Sequence, residues 1–163
     1  MAELEETFHR LVGGLDYPMF IVTASHGRER AGCLVGFTTQ TSIDPPRFIV
    51  CLSLKNRTTE LARNARVLGV HCVPVEAQGL AELFGGETGH EVDKFAQVSW
   101  RNGTGGVPLL DECPNRFVGR IETTLEAGDH LAVLLAPVQA QAAPGIEELA
   151  FHRAKRIEPG HEA

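Results

Sequence analysis

Short apolar runs recur along this chain with no long amphipathic helix between them, and this spacing limits the fold more than any other feature. Met19 to Ala24 (MFIVTA), Arg47 to Ser53 (RFIVCLS), Val67 to Val73 (VLGVHCV) and Leu131 to Val138 all have strand length. A doubly wound parallel sheet would alternate strands with long helices. No G-x-G-x-x-G follows the first run, so the usual dinucleotide fingerprint is absent. The pattern predicts about six or seven strands, mainly β with inserted helices, closing as a small antiparallel barrel.

Local chemistry punctuates these runs. Leu4, Phe8, Leu11 and Val12 stand at helical spacing and stop at Gly13-Gly14, so residues 1–15 read as a short N-terminal packing helix. Ser25 to Arg30 reads as a hairpin turn. The next strand runs through Val35 and turns polar at Thr38, and Pro45-Pro46 ends it. Arg47 to Ser53 is apolar almost throughout, which predicts burial on both faces. Lys55 to Ala65 predicts a helix capped by Thr58 or Thr59, and Glu76 to Phe84 predicts another, ended by Gly85-Gly86. Residues 87–108 are polar and glycine-rich, with helical potential around Val92 to Gln97. Arg116 to Leu125 and Leu131 to Val138 flank a turn and predict a hairpin. The end of the chain, 155–163, reads as an exposed tail of a single domain spanning 1–163.

At 163 residues the chain can bury a full core. Its hydrophobic fraction of 43% fits a globular fold. A net charge of -6 disfavours nucleic acid as a partner, and no apolar run approaches a membrane span. Cys33, Cys51, Cys72 and Cys113 contain no C-x-x-C. They read as reduced core thiols of a cytoplasmic protein. His71 beside Cys72 lacks metal-ligand spacing, so no metal is expected.

Four constellations carry chemistry. In Gly32 to Asn64, Phe37 gives way to Thr38, Thr39, Gln40, Thr41 and Ser42, a run of hydroxyls that either lines a polar pocket or forms a Thr-rich edge strand. Ser53-Leu54-Lys55-Asn56-Arg57-Thr58-Thr59 opens a helix. With Arg63 and Arg66 it makes a local basic spot, either a phosphate site or an ordinary capped helix. Phe84-Gly85-Gly86 with Asp93-Lys94-Phe95 offers either a second charge for a phosphate or a helix end with an ion pair. Gly128-Asp129-His130 places a histidine at a turn, able to stack or to donate a hydrogen bond, or merely closing a hairpin.

The order of these features resembles the flavin reductase-like family, whose fold is the FMN-binding split β-barrel, antiparallel with Greek-key connections. The resemblance rests on Gly36 to Ser42, Asp44-Pro45-Pro46, Cys51-Leu52 and Ser53 to Thr59, then Phe84-Gly85-Gly86, Asp93-Lys94-Phe95, Trp100, Gly106 to Leu110, Gly128-Asp129-His130 and Phe151-His152-Arg153. It covers roughly Pro18 to Arg153. Lys94 stands where the family has arginine and Ala154 where it has glycine, and the 36–42 segment departs from the usual S-S-F-T-S-V-S.

The resemblance implies a homodimer that binds FMN or FAD and uses NADH or NADPH. It places Gly36, Phe37, Thr38, Thr39 and Thr41 at the flavin ring and ribityl chain. Ser53, Lys55, Asn56 and Thr58 would hold the phosphate, helped by Lys94 and Phe95, and His130 would lie beside the nicotinamide. The implied activity is NAD(P)H-dependent flavin reduction, with a flavin-dependent monooxygenase as a possible recipient. Two alternatives stand beside it: a flavoprotein that retains FMN for electron transfer or binds a deazaflavin, and a barrel that has lost its flavin and acts as a binding dimer.

Overall fold

The computed structural model describes residues 1–86 and 93–156. Its elements, in chain order, begin with α1 (Ala2–Gly13), β1 (Phe20–His26), β2 (Glu29–Val35), β3 (Thr38–Ser42) and β4 (Arg47–Ser53). There follow α2 (Arg57–Ala62), β5 (Val67–Cys72), α3 (Gln78–Gly86), β6 (Trp100–Asn102), β7 (Pro108–Leu110), β8 (Arg116–Ala127), β9 (His130–Gln141) and α4 (Phe151–Ala154). Seven strands form one antiparallel sheet in the order β2-β1-β5-β8-β9-β4-β3, and β6 pairs with β7 alone.

The sheet curls around one core. Val22 of β1, Val50 and Leu52 of β4, Leu68 and Val70 of β5, and Leu131, Val133 and Leu135 of β9 share a single buried cluster, and α2 contributes Leu61 and Ala62 to it. The helix packs against β1, β2 and β4, and β2 also touches β4, so α2 fills the gap where the sheet's two ends approach. This arrangement is a split β-barrel, as the sequence predicts.

Alternation along β1 and β5 builds a second layer. Phe20, Val22 and Ala24 face the barrel interior, whereas Ile21 faces a cluster with Leu80, Ala81, Phe84, Phe95, Leu110 and Leu149. Two polar groups on that outer side tie β7 down. Thr23 Oγ1 donates to Pro108 O at 2.7 Å. His71 Nδ1 lies 2.9 Å from Ile21 O, and its Nε2 accepts from Leu110 N at 3.0 Å. His71 is therefore the neutral tautomer protonated at Nδ1, and burial pushes its pKa down to about 4. It is a structural histidine, not a ligand.

Several expectations change. The strand expected to run on through Thr38 is two strands, β2 and β3, at opposite ends of the sheet order. The chain leaves β2 at Gly36, where a Cβ would fall 2.7 Å from the Tyr17 ring, and crosses to the other end. β4 alternates instead of burying both faces, with Val50 and Leu52 inside and Cys51 partly exposed. The cap of α2 is Asn56, whose side chain accepts from Thr58 N at 2.9 Å, because Thr58 and Thr59 are already buried within the helix. The short 3-10 turn Lys94–Gln97 is capped by Asp93, and the expected helical start at Val92 lies outside the described residues. Helix α1 buries no residue against the rest of the chain.

Candidate functional site

Three segments far apart in sequence meet where β4 ends and β9 begins. The 128–129 turn has Gly128 at φ 71, a conformation that favours glycine. His130 follows and pairs across the sheet with Ser53. Beyond the paired strands, Leu54 N donates to Asp129 O at 2.9 Å, locking the turn to the start of the 53–59 segment. The third segment is the crossing at Gly36-Phe37. Cys51 N donates to Phe37 O at 2.9 Å, and the exposed Phe37 ring lies 5.1 Å from the His130 ring, centre to centre and tilted by 45°.

Within this cluster His130 Nδ1 lies 2.7 Å from Asp129 Oδ1. A carboxylate can only accept, so the ring nitrogen donates. That hydrogen bond, then the charge of His130 and to a smaller extent that of Lys55, holds the Asp129 carboxyl below its usual range. Lys55 thus lies within electrostatic reach of the same carboxylate.

The 53–59 turn is tightly wound. Asn56 N donates to Ser53 O at 3.0 Å, and Thr59 Oγ1 donates to the same carbonyl. Ser53 Oγ accepts from Lys55 N at 3.3 Å. β3 presents Thr39, Gln40 and Thr41 to solvent and leaves Thr38 half-buried. Thr39 Oγ1 donates to Gln40 O at 3.3 Å, and Gln40 Nε2 to Ser42 O at 3.1 Å. The basic spot is largely compensated, with Arg57 beside Glu29 (3.1 Å) and Glu60 (3.5 Å), and Arg63 beside Glu126 (3.3 Å).

Three of the expected binding residues stand elsewhere. Thr58 is fully buried, and its hydroxyl faces the core beside the Cys33 thiol, which burial pushes up to about 11. Lys94 is buried, and its Nζ donates to Gly32 O (3.2 Å) and Phe84 O (3.1 Å). It ties β2 to the end of α3. Phe95 is buried in edge contacts with Phe84 and Trp100. The Gly32 and Phe84 carbonyls draw Lys94 inward, the Phe84 and Trp100 rings take Phe95, and Thr58 enters the core on the buried face of α2 with Leu61 and Ala62. Asp129, a turn former on the sequence alone, lies within hydrogen-bond distance of His130, a contact that their adjacency signals.

All four cysteines are free, and among the described residues no group of three or more His, Cys, Asp or Glu is placed to hold a metal. Among the described residues, too, no helix is long and apolar enough to cross a membrane.

The family model described as flavin reductase like domain matches residues 12–159. The chain belongs to this family. Among its relatives are the Rhizobium meliloti protein called "Probable flavin reductase", 29% identical over 85% of this chain and 44% of that protein, and FMN reductase (NADH) RutF of Escherichia coli O157:H7, 28% identical over 83% of this chain and 82% of that protein. The chain thus spans less than half the length of the first and most of the second. Among solved structures, NADH:FAD oxidoreductase SgcE6 of Streptomyces globisporus superposes with a TM-score of 0.82 at 23% identity, over 90% of this chain and 87% of that one. Nitrilotriacetate monooxygenase component B from Mycobacterium thermoresistibile does so with a TM-score of 0.81 at 24% identity, over 94% and 85%. These likenesses show the fold.

The residues present fit a flavin. Two rings side by side, Phe37 and His130, make a wall for a flat heterocycle. Beside it the hydroxyl-bearing strand β3 and the turn carrying Ser53, Lys55 and Asn56 supply donors for a polyol and an anionic group.

Proposed function

We propose that this chain reduces FMN or FAD with electrons from NADH or NADPH. The observation that carries the reading is the meeting of Phe37, Ser53-Lys55 and Asp129-His130 at one end of β4 and β9. When bound, the flavin supplies the ring that accepts hydride from the nicotinamide. The chain's own part is alignment. Gly36 and Phe37 would back the ring, while Thr38, Thr39 and Thr41 would face the ribityl chain. Ser53, Lys55 and Asn56 hold the phosphate end, and His130 meets the nicotinamide. No side-chain nucleophile is required, because holding two rings at reacting distance already lowers the barrier.

The relative named RutF and the neighbour named as a monooxygenase component support a role in supplying reduced flavin to a flavin-dependent monooxygenase. The free thiols favour the reducing cytoplasm. A homodimer completes the reading, since Phe37, Leu54 and Leu125 leave apolar surface open around the site.

The test is spectroscopic. Purified protein mixed with NADH or NADPH should oxidise it only when free flavin is added, with flavin bleaching in step. Flavin that copurifies and is reduced without exchanging with added flavin would replace this reading with that of a flavoprotein retaining its cofactor. A chain that binds no flavin would end both.

A further inference from the structure

The carboxylate of Asp129 has no assigned part in the reading above, yet its Oδ1 lies 2.7 Å from His130 Nδ1 and within electrostatic reach of Lys55. We propose that Asp129 is a positioning residue that fixes the His130 ring so that Nε2, the only ring nitrogen left with a lone pair, accepts a hydrogen bond from the carboxamide N–H of the reduced nicotinamide. The proposal rests on the flavin and nicotinamide reading and deepens it.

Geometry carries it. With Nδ1 donating to Asp129 Oδ1 at 2.7 Å, the neutral ring has its proton on Nδ1 and a free acceptor at Nε2. A hydrogen bond between neighbouring exposed side chains is ordinarily loose, and here three further contacts restrain it. Leu54 N holds the Asp129 carbonyl at 2.9 Å, which fixes the backbone from which the carboxylate projects. His130 begins β9 and is paired with Ser53, so its own backbone is fixed too. The Phe37 ring lies against the imidazole, so rotation away from Asp129 would lose an aromatic contact. The imidazole side chain is only 19% exposed while the Asp129 side chain is 77% exposed. The ring is thus largely packed, and the carboxylate stands toward solvent within electrostatic reach of Lys55.

The carboxamide is the part of a nicotinamide that offers N–H donors, and its orientation sets which face of the ring points at the flavin. A histidine fixed as an acceptor therefore acts on alignment, with no proton transfer.

The experiment uses the full chain with flavin and the isosteric substitution Asp129→Asn. Long-range nitrogen–proton NMR of the neutral histidine should show the Nδ1–H tautomer in the wild type and a mixture or Nε2–H in Asp129→Asn. Flavin affinity and melting temperature should not move. Single-turnover reduction by NADH should slow by roughly tenfold, the size expected for losing one well-placed hydrogen bond to a fixed partner. A reduced-nicotinamide analogue with an acetyl group in place of the carboxamide should slow the wild type by a similar factor and slow Asp129→Asn little further. The double variant Asp129→Asn/His130→Ala should be no slower than His130→Ala alone.

Wild-type His130 as the Nε2–H tautomer would overturn the proposal, as would reduction by Asp129→Asn at the wild-type rate while His130→Ala is slow. Both outcomes leave flavin reduction itself intact. A wild type that binds flavin yet oxidises neither NADH nor NADPH would bring down the functional reading and this proposal with it.

Discussion

Two histidines in this chain occupy opposite surroundings and should do opposite things. His71 is sealed between Ile21 O and Leu110 N, whereas His130 stands at the mouth of the site beside Phe37 and Asp129. Protonating His71 would set its new Nε2–H against the Leu110 N–H and leave a buried charge. Its proton is bound near pH 6.5 in the unfolded chain and only near 4 in the folded one. Between those values the unfolded state holds more protons, so stability is complete above pH 6.5 and falls as the pH drops toward 4. The loss attributable to His71 should approach roughly 3 kcal/mol, and urea unfolding of wild type and His71→Gln across this window should converge as the pH falls. A slope unchanged by the substitution would clear His71 of this role. In the phosphate turn, Lys55→Ala should weaken FMN by roughly tenfold and leave riboflavin nearly untouched, because only FMN carries the anion that the ammonium would bind. Thr58→Val should not affect either flavin, since that hydroxyl is buried in the core against the Cys33 thiol, and the near-isosteric change should move stability little. Fluorescence titration separates the two positions. The same contrast explains what the sequence concealed. Ser53, Lys55, Thr58 and Lys94 look alike as polar residues near a turn, and only packing tells that Thr58 and Lys94 point inward.

At the scale of elements, period and turn chemistry were legible wherever one face of a strand meets the core. β1, β4, β5 and the β8–β9 hairpin all appear close to where their apolar patterns place them, and α1 ends at Gly13 with Gly14 as its cap. The break between β2 and β3 was not legible, because a continuous strand pattern cannot report that its two halves lie at different ends of a curled sheet. β6 and β7, three residues each, are too short to carry a period, and they are held by Thr23 and His71 from strands far away in sequence. This tie depends on Gly69. A methyl group there would collide with Thr23 Oγ1 and lie 3.1 Å from Pro108 O. Neither neighbour can give way without breaking the bond between them. Gly69→Ala should therefore cost about 1–3 kcal/mol, as overpacking in a filled interior does, and should expose the β7 segment to hydrogen exchange before the barrel. A variant as stable as the wild type would show that β7 can be displaced without loss.

For the whole molecule, the outstanding physical fact is surface that one copy leaves uncovered. Helix α1 carries Leu4, Phe8 and Leu11 on its apolar positions, and they are 69%, 56% and 64% exposed. An isolated helix of this length is marginal in water, and its stability ordinarily comes from packing such a face. Leu15, Phe37, Ile43 and Leu125 are exposed as well. A second copy is the occupant that the family resemblance implies, and a two-fold axis would present the same patches to one another. Burying three large side chains contributes on the order of several kcal/mol per helix before ordering is deducted. The acidic flank of Glu3, Glu5 and Glu6 argues against an anionic lipid surface as the alternative. The triple substitution Leu4→Ser, Phe8→Ser, Leu11→Ser should therefore shift sedimentation from dimer toward monomer at micromolar protein, and the melting temperature should fall and lose its dependence on concentration. Because Phe37 and His130 lie on a different element from α1, the monomer should keep its barrel while binding flavin more weakly. A wild type that sediments as a monomer with flavin bound would remove the dimer from the functional reading and leave α1 to a different partner.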